Sequence, residues 1–219
     1  MSVITIERKV LEKNDTFAAE NRRRLAEARL FTINVVSSPG AGKTSLLEQT
    51  IERLRGTVRL SVVEGDVQTD LDAQRVARYG APVVQIVTNG GCHLEAKLVQ
   101  DALSRLDLAA TDLLVIENVG NLVCPANYDL GEAMKVVLLS TTEGDDKPLK
   151  YPAMFRNASV LVVNKIDLIP YVNCKIDTLI ANARQINPAL RVFQVSCTTG
   201  AGLDDWCAWL AAQVAAARA

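Results

Sequence analysis

The chain is short of several things, and each shortage excludes a class of protein. One of its 219 residues is histidine, two are tryptophan, and aromatics make up only 5%. A single histidine excludes a His-rich metal-storage tract and leaves all imidazole chemistry to His93. Neither sign of charge is in excess: 24 Lys and Arg against 25 Asp and Glu leave a net −1. That removes the electrostatic ground for nucleic acid or an anionic membrane as partner. No apolar run approaches the ~20 residues that span a bilayer. Residues 1–12 are charged early and lack the apolar core of a signal peptide, so the expected location is cytoplasmic. In that compartment the five cysteines read as free or metal-bound rather than paired.

What is abundant is Ala, Val and Leu, within a composition that is 49% hydrophobic. This suits a parallel sheet covered by helices. The length fits one domain with a large core. Residues 1–30 read as a helical appendage and 31–219 as the domain proper. In the appendage, Asn14 and Asp15 can cap a helix running to about Leu30, and Arg22, Arg23 and Arg24 form a solvated face.

The domain is organised around residues 31–47, FTINVVSSPGAGKTSLL. Residues 31–36 read as a buried strand and residues 45–55 as a helix. Between them Ser37-Ser38-Pro39-Gly40-Ala41-Gly42-Lys43-Thr44 has the spacing of a P-loop, in the strand–loop–helix context that motif requires. A polyphosphate must be held without a bulky wall. Backbone N–H groups from Gly40 to Ser45 can approach its oxygens, and the helix N-terminus adds partial positive charge. Lys43 can reach the β- and γ-phosphates and the Thr44 hydroxyl can ligate Mg²⁺. Ser37 stands where the motif usually has Gly. A Gly-rich turn that binds nothing is the alternative, and the register between strand and helix disfavours it.

Strands and helices then alternate. Strands are expected at 58–63, 83–87, 113–116, 134–139, 160–163 and 191–195, with helices at 71–79, 94–106, 173–186 and 203–218. Residues 141–152, with charges, Gly and two prolines, read as a loop. The pattern predicts a doubly wound, mostly parallel seven-stranded α/β sheet with right-handed crossovers.

Ligands of such sheets bind at the carboxyl ends of the strands, so informative residues should follow strands. Asn164-Lys165-Ile166-Asp167 does so, and Asn-Lys-x-Asp is the guanine-specificity motif of GTPases. The Asp167 carboxylate can accept from guanine N1–H and the exocyclic amine. Adenine would leave it desolvated and unpaired. Asn164 holds the loop and touches the base edge, and the Lys165 stem covers the ring. Ser196 and Cys197 sit where backbone contacts to the base are expected. Asp66 and Glu117 end strands near the phosphate loop and suit Mg²⁺, with plain capping carboxylates as the alternative. Glu117-Asn118-Val119-Gly120 resembles the Asp-x-x-Gly switch, and its Gly120 N–H can sense the γ-phosphate. Lys43, Asp66, Glu117 and Gly120 are thus the catalytic candidates. No spacing fixes a catalytic Gln or Arg finger, so the expected intrinsic hydrolysis of GTP to GDP is slow.

Cys92, His93 and Cys124 lie in loops after different strands at the same end of the sheet. Thiolate and imidazole favour Zn²⁺ or Ni²⁺, but by residue type alone such a set also arises by chance. The remaining cysteines, Cys174 and Cys207, fall on expected helices as small buried hydrophobes, and Trp206 and Trp209 pack the last helix on the sheet.

At this point the chain resembles the HypB family, the nickel-insertion GTPases of [NiFe]-hydrogenase maturation. The resemblance rests on residues 38–44 (SPGAGKT), 64–66 (EGD), 89–94 (NGGCHL), 116–125 (IENVGNLVCP), 147–152 (KPLKYP) and 164–167 (NKID), and covers about residues 14–210. It implies a P-loop NTPase of the SIMIBI GTPase type. It implies that Cys92, His93 and Cys124 hold Ni²⁺ or Zn²⁺ at the interface of a GTP-dependent homodimer. A lysine of the 147–150 loop, Lys147 or Lys150, would contact nucleotide across that dimer. The implied partners are a hydrogenase maturation protein and the hydrogenase large subunit. Two departures matter. Some members carry an N-terminal Cys-x-x-Cys-Gly-Cys nickel site, and residues 1–30 here have no Cys. Others carry His-rich tracts. Metal binding is therefore expected only at the switch-coupled site. Related readings are the nickel GTPase of urease maturation, whose Cys and His flank a Pro absent here, a regulatory switch with structural zinc, and a P-loop kinase.

Overall fold

The inner strands, rich in Val, Leu and Ile, are buried on both faces here, because helices cover the sheet on each side. The computed structural model describes residues 6–219, and the first five positions of the expected appendage lie outside it. A helix α1 (Ile6–Glu27) precedes β1 (Phe31–Ser37), α2 (Lys43–Leu54), β2 (Leu60–Asp66), α3 (Leu71–Ala77) and β3 (Val83–Val87). Then follow α4 (Ala96–Leu103), β4 (Leu113–Glu117), β5 (Met134–Ser140), α5 (Lys147–Lys150), α6 (Pro152–Arg156), β6 (Val160–Asn164), α7 (Ile176–Ile186), β7 (Arg191–Gln194) and α8 (Leu203–Arg218). The seven strands form one sheet in the order β3-β2-β4-β1-β5-β6-β7, and every pairing is parallel. Among the described residues no helix is long and apolar enough to cross a membrane.

The period-2 alternation of the strands sorts the core into faces. Leu113 and Val115 of β4 pack with Leu46 and Ile51 of α2 and with Trp206 and Leu210 of α8. Their neighbours Leu114 and Ile116 face Leu25 of α1 and Val99 and Leu103 of α4. Farther along the sheet, Val137, Leu139, Leu161 and Val163 meet Phe155 of α6 and Leu179 of α7. Trp206 is buried, donating from Nε1 to Thr50 Oγ1 at 3.0 Å, and Trp209 lies beside it against Phe193.

Several boundaries differ from those expected, each for a physical reason. Helix α1 starts at Ile6, so Asn14 is no cap. It lies mid-helix with its side chain buried, turned onto the domain. Arg22 and Arg23 are exposed, as expected, and Arg22 Nη2 also donates to both carboxylate oxygens of Asp129 at 2.6 and 2.8 Å. Residues 141–152 are not a loop. Ser140 and Glu143 form a capping box over a short 3₁₀ turn, and Pro148 and Pro152 occupy the first turns of α5 and α6. Proline fits there because those N–H groups have no intrahelical partner. Helix α7 starts at Ile176, which leaves buried Cys174 in the loop before it. Strand β2 runs on to Asp66, which brings Glu64 into the sheet.

Candidate functional site

At the carboxyl ends of the strands a cavity of about 480 Å³ opens between the 38–44 loop, the end of β2 and the loop after β4. Gly40 and Gly42 take φ of 75° and 103°, a region open to glycine at little cost. A Cβ on Gly42 would come within 2.5 Å of Asn164 Nδ2, so the glycine also makes room for the neighbouring loop. The Ser37 hydroxyl accepts from Lys43 Nζ at 3.2 Å and donates to Ser38 O. Serine in the usual glycine place therefore holds the lysine. Ser45 lies in the first turn of α2 on the cavity wall.

The 164–167 loop locks onto the phosphate loop. Asn164 Nδ2 donates to Ala41 O at 3.0 Å and its Oδ1 accepts from Lys165 N and Cys197 N. Lys165 has φ 62°, and its ammonium lies on Gly40 O at 2.7 Å. Asp167 Oδ1 accepts from the Ser196 hydroxyl at 2.5 Å. Ser196 N and Cys197 N are both engaged within the protein, the first with Ala201 O. Ser196 thus meets Asp167 through its side chain, while its amide serves its own loop. Burial pushes the Cys197 thiol up to about 11, which leaves it neutral and unreactive.

The carboxylates differ from the expected pair. Asp66 Oδ1 accepts from Gln68 N, Thr69 N and Thr69 Oγ1 at 2.7 to 3.1 Å. Burial works upward on this carboxyl, but these three donors outweigh it and hold it below its usual range. Asp66 commits its Oδ1 to its own loop and still lines the cavity. Glu64 joins the acids there: it sits opposite Glu117 in the β2–β4 register, so the same period that sorts the core aims both acids at one spot. With Asp72 they bring three carboxylate oxygens within 4.8 Å of one another. Thr44 Oγ1 donates to Glu117 Oε1 at 2.8 Å. Burial lifts both glutamates, and for Glu64 the neighbouring Glu117 lifts further, while Lys43 pulls both down. Glu64 Oε2 and Glu117 Oε2 are buried without a hydrogen-bond partner. Two orphaned hard oxygens beside a threonine hydroxyl fit Mg²⁺. Glu64 and Asp72 were not singled out from sequence. An acid in the otherwise apolar run of β2 was the available signal for Glu64; Asp72 looks like any acid in a first helical turn.

Cys92, His93 and Cys124 come together: one ligand atom from each lies within 4.8 Å of the others. Cys92 Sγ is 3.6 Å from His93 Nδ1. Contact with Cys124, then burial, raises the Cys92 thiol; burial lowers His93, against the pull of Glu95. The imidazole is therefore neutral, the form that binds a metal. Its Nε2 is buried and unpartnered, and its ring packs tilted at 46° against Tyr128 with centroids 3.9 Å apart.

Cys124 opens a 3₁₀ turn (Cys124–Asn127) in the loop that starts at Glu117. Gly120 packs on Pro39 of the phosphate loop, where a Cβ would sit 3.1 Å from its Cα. Asn118 joins the loop that carries Cys124 to the loop that carries Cys92 and His93. Its Oδ1 accepts from Leu94 N and Val119 N, both at 3.0 Å, and its Nδ2 donates to Asn34 Oδ1. Leu94 presses on Gly65, where a Cβ would meet it at 2.8 Å. From behind, α1 grips both polar groups of Ala96: Asn14 Oδ1 accepts from its N–H and Asn21 Nδ2 donates to its carbonyl. These asparagines carry no motif, and only burial reveals them.

In the 147–150 stretch, Lys147 is tucked toward Glu143 and over the Tyr151 ring. Lys150 is largely exposed and pairs with Asp146.

In sequence and in fold the chain is similar to known proteins. Residues 31–194 match the family model described as CobW/HypB/UreG, nucleotide-binding domain. The chain is 54% identical over 211 residues to the hydrogenase maturation factor HypB of Azotobacter vinelandii, covering 96% of this chain and 70% of that one. It superposes on HypB from Helicobacter pylori in complex with nickel with a TM-score of 0.88 at 40% identity, covering 92% of this chain and 95% of that one. For the hydrogenase maturation factor HypB from Archaeoglobus fulgidus the TM-score is 0.87 at 38% identity, covering 93% and 100%.

Proposed function

The chain belongs to the CobW/HypB/UreG family of nucleotide-binding domains, and from that premise we propose that it is a slow GTPase that carries nickel and delivers it during [NiFe]-hydrogenase maturation. Nickel is the cargo, and Cys92, His93 and Cys124 are its ligands. Zn²⁺ suits the same donors. Three ligands from one chain leave a shell for a second copy to complete, which favours a homodimer closed by GTP. Delivery would run through a maturation partner to the hydrogenase large subunit.

In this reading Asp167 accepts from guanine, with Ser196 fixing its carboxylate. Backbone N–H groups from Gly40 to Ser45 cradle the phosphates, and Lys43 leaves Ser37 for the β- and γ-phosphates. Glu64, Asp72, Glu117 and the Thr44 hydroxyl would hold Mg²⁺, which when bound neutralises phosphate charge. The Gly120 N–H senses the γ-phosphate. Lys150 is the lysine exposed enough to reach the nucleotide of a second copy.

One observation carries the coupling. Glu117, Asn118, Gly120 and Cys124 share one loop, and Asn118 bonds that loop to the Cys92–His93 loop. A pull on the switch therefore moves both thiols. Coupling requires that the metal bind the two nucleotide states differently. Nickel titration of protein loaded with GDP or with a non-hydrolysable GTP analogue should give different affinities, with a larger dimer fraction in the GTP state. Equal affinities would remove the coupling. Structural zinc indifferent to nucleotide would then be the better reading.

A further inference from the structure

Lys135 of β5 is 7% exposed. Its ammonium donates to Pro125 O at 3.0 Å, Ala126 O at 3.1 Å and Tyr128 O at 3.0 Å. An ammonium has three donors, so all are spent on carbonyls of one turn; Glu132 and Asp129 attract the charge without a hydrogen bond to it. Burying a charge is costly, and an apolar side chain there would leave these three carbonyls without the donor they share.

The position of that turn gives the lysine its role. The turn begins with Cys124 and ends beside Tyr128, whose ring packs tilted against His93 at 3.9 Å. Asn157 Nδ2 also donates to Ala126 O at 3.0 Å, but Lys135 alone of these two side chains ties the carbonyls of the thiol-bearing turn to that of Tyr128, the ring against the imidazole. We propose that Lys135 is a positioning residue of the metal site: it holds the Cys124 turn and Tyr128 so that the thiols and imidazole converge before the ion arrives. The inference rests on the reading of Cys92, His93 and Cys124 as nickel ligands. Residues that orient metal ligands without touching the ion change metal affinity by about 10–100-fold when lost.

The test uses the full chain. Nickel affinity is read by chelator competition and by thiolate-to-nickel charge-transfer absorption, with guanine-nucleotide affinity measured in parallel. Lys135→Met should weaken nickel binding about 10–100-fold and shift the absorption band while nucleotide affinity is unchanged. Lys135→Arg keeps donors but cannot meet all three carbonyls, and should be intermediate. Cys124→Ala should abolish the band. If Cys124→Ala keeps full nickel affinity, the ligand assignment fails, and the positioning role with it. If Cys124→Ala loses nickel but Lys135→Met does not, the positioning role alone fails. Loss of nickel and nucleotide binding together in Lys135→Met would make Lys135 a folding residue and overturn the proposal. Should Lys135→Met not fold, wild-type nickel affinity in Lys135→Arg overturns it equally.

Discussion

Replacing Asn118 by Ala tests the join between the two ends of the site most directly. The side chain is 1% exposed and makes three hydrogen bonds. Its loss strands Leu94 N–H, Val119 N–H and Asn34 Oδ1 in the interior. An unsatisfied buried group costs about 1–3 kcal/mol. At the low end for each, Asn118→Ala should lose about 3 kcal/mol, a large share of the roughly 5–15 kcal/mol that holds a domain together. Urea denaturation followed by the fluorescence of Trp206 and Trp209 reads this directly. The functional consequence is separate. With Leu94 N–H released, the Cys92–His93 loop no longer follows the switch, and the difference in nickel affinity between GDP and GTP-analogue states should shrink. A stability loss below about 1 kcal/mol, or an undiminished nucleotide effect on nickel, would refute the argument.

Two further outcomes follow from the same geometry. Asp167→Asn exchanges a charged acceptor for an amide that offers a donor to guanine N1–H; GTP affinity should fall about 10–100-fold and xanthosine nucleotides should gain, and unchanged GTP affinity in a competition assay would exclude Asp167 from base reading. Asp129 gives a pH signature. Burial works against its charge, but Arg22 and the Gly131 N–H outweigh burial and hold the carboxyl below the usual aspartate range. A lowered folded-state value means stability that is present above the ordinary aspartate pKa and is lost as pH falls through the lowered one. The Arg22–Asp129 pair is 51% and 40% exposed and screened, so the effect is about 0.2–1 kcal/mol. Asp129→Asn should therefore show a shallower fall in Tm on acidification, and an identical slope would contradict the assignment.

The fold was legible because parallel strands and crossover helices are written as local patterns. Apolar runs ending in polar strand-end residues located every strand within a few positions, and α8 was readable to both its ends. The 141–152 stretch was not, because proline is punctuation in a sequence but an acceptable first-turn residue in a helix. At the site, groups that repeat a known spacing were readable: the phosphate loop, the Asn164–Asp167 loop and the Cys–His pair. Groups that act through register were not. Glu64 faces Glu117 only because β2 lies beside β4, and that adjacency spans a crossover no local pattern reports. Asp66, with the same charge at the same strand end, lines the cavity too, and no spacing reports that its Oδ1 also holds its own turn. Asn14, Asn118 and Lys135 were silent for another reason. A polar side chain that holds backbone groups of a distant segment carries no signature until its burial is known.

Helix α1 precedes the phosphate loop, yet its asparagines fasten Ala96, three residues past the histidine. Asn14 and Asn21 also bond the carbonyls of Asp129 and Leu130, just beyond the tyrosine under that histidine. Gly131 lies so close beneath α1 that a methyl group there would strike Asn21 and the helix backbone at 2.7 to 2.9 Å. Cutting the chain ahead of Phe31 would spare every nucleotide contact and yet leave the imidazole's two anchorages slack. A fragment trimmed in that way should keep its grip on guanine nucleotides while losing its hold on the ion.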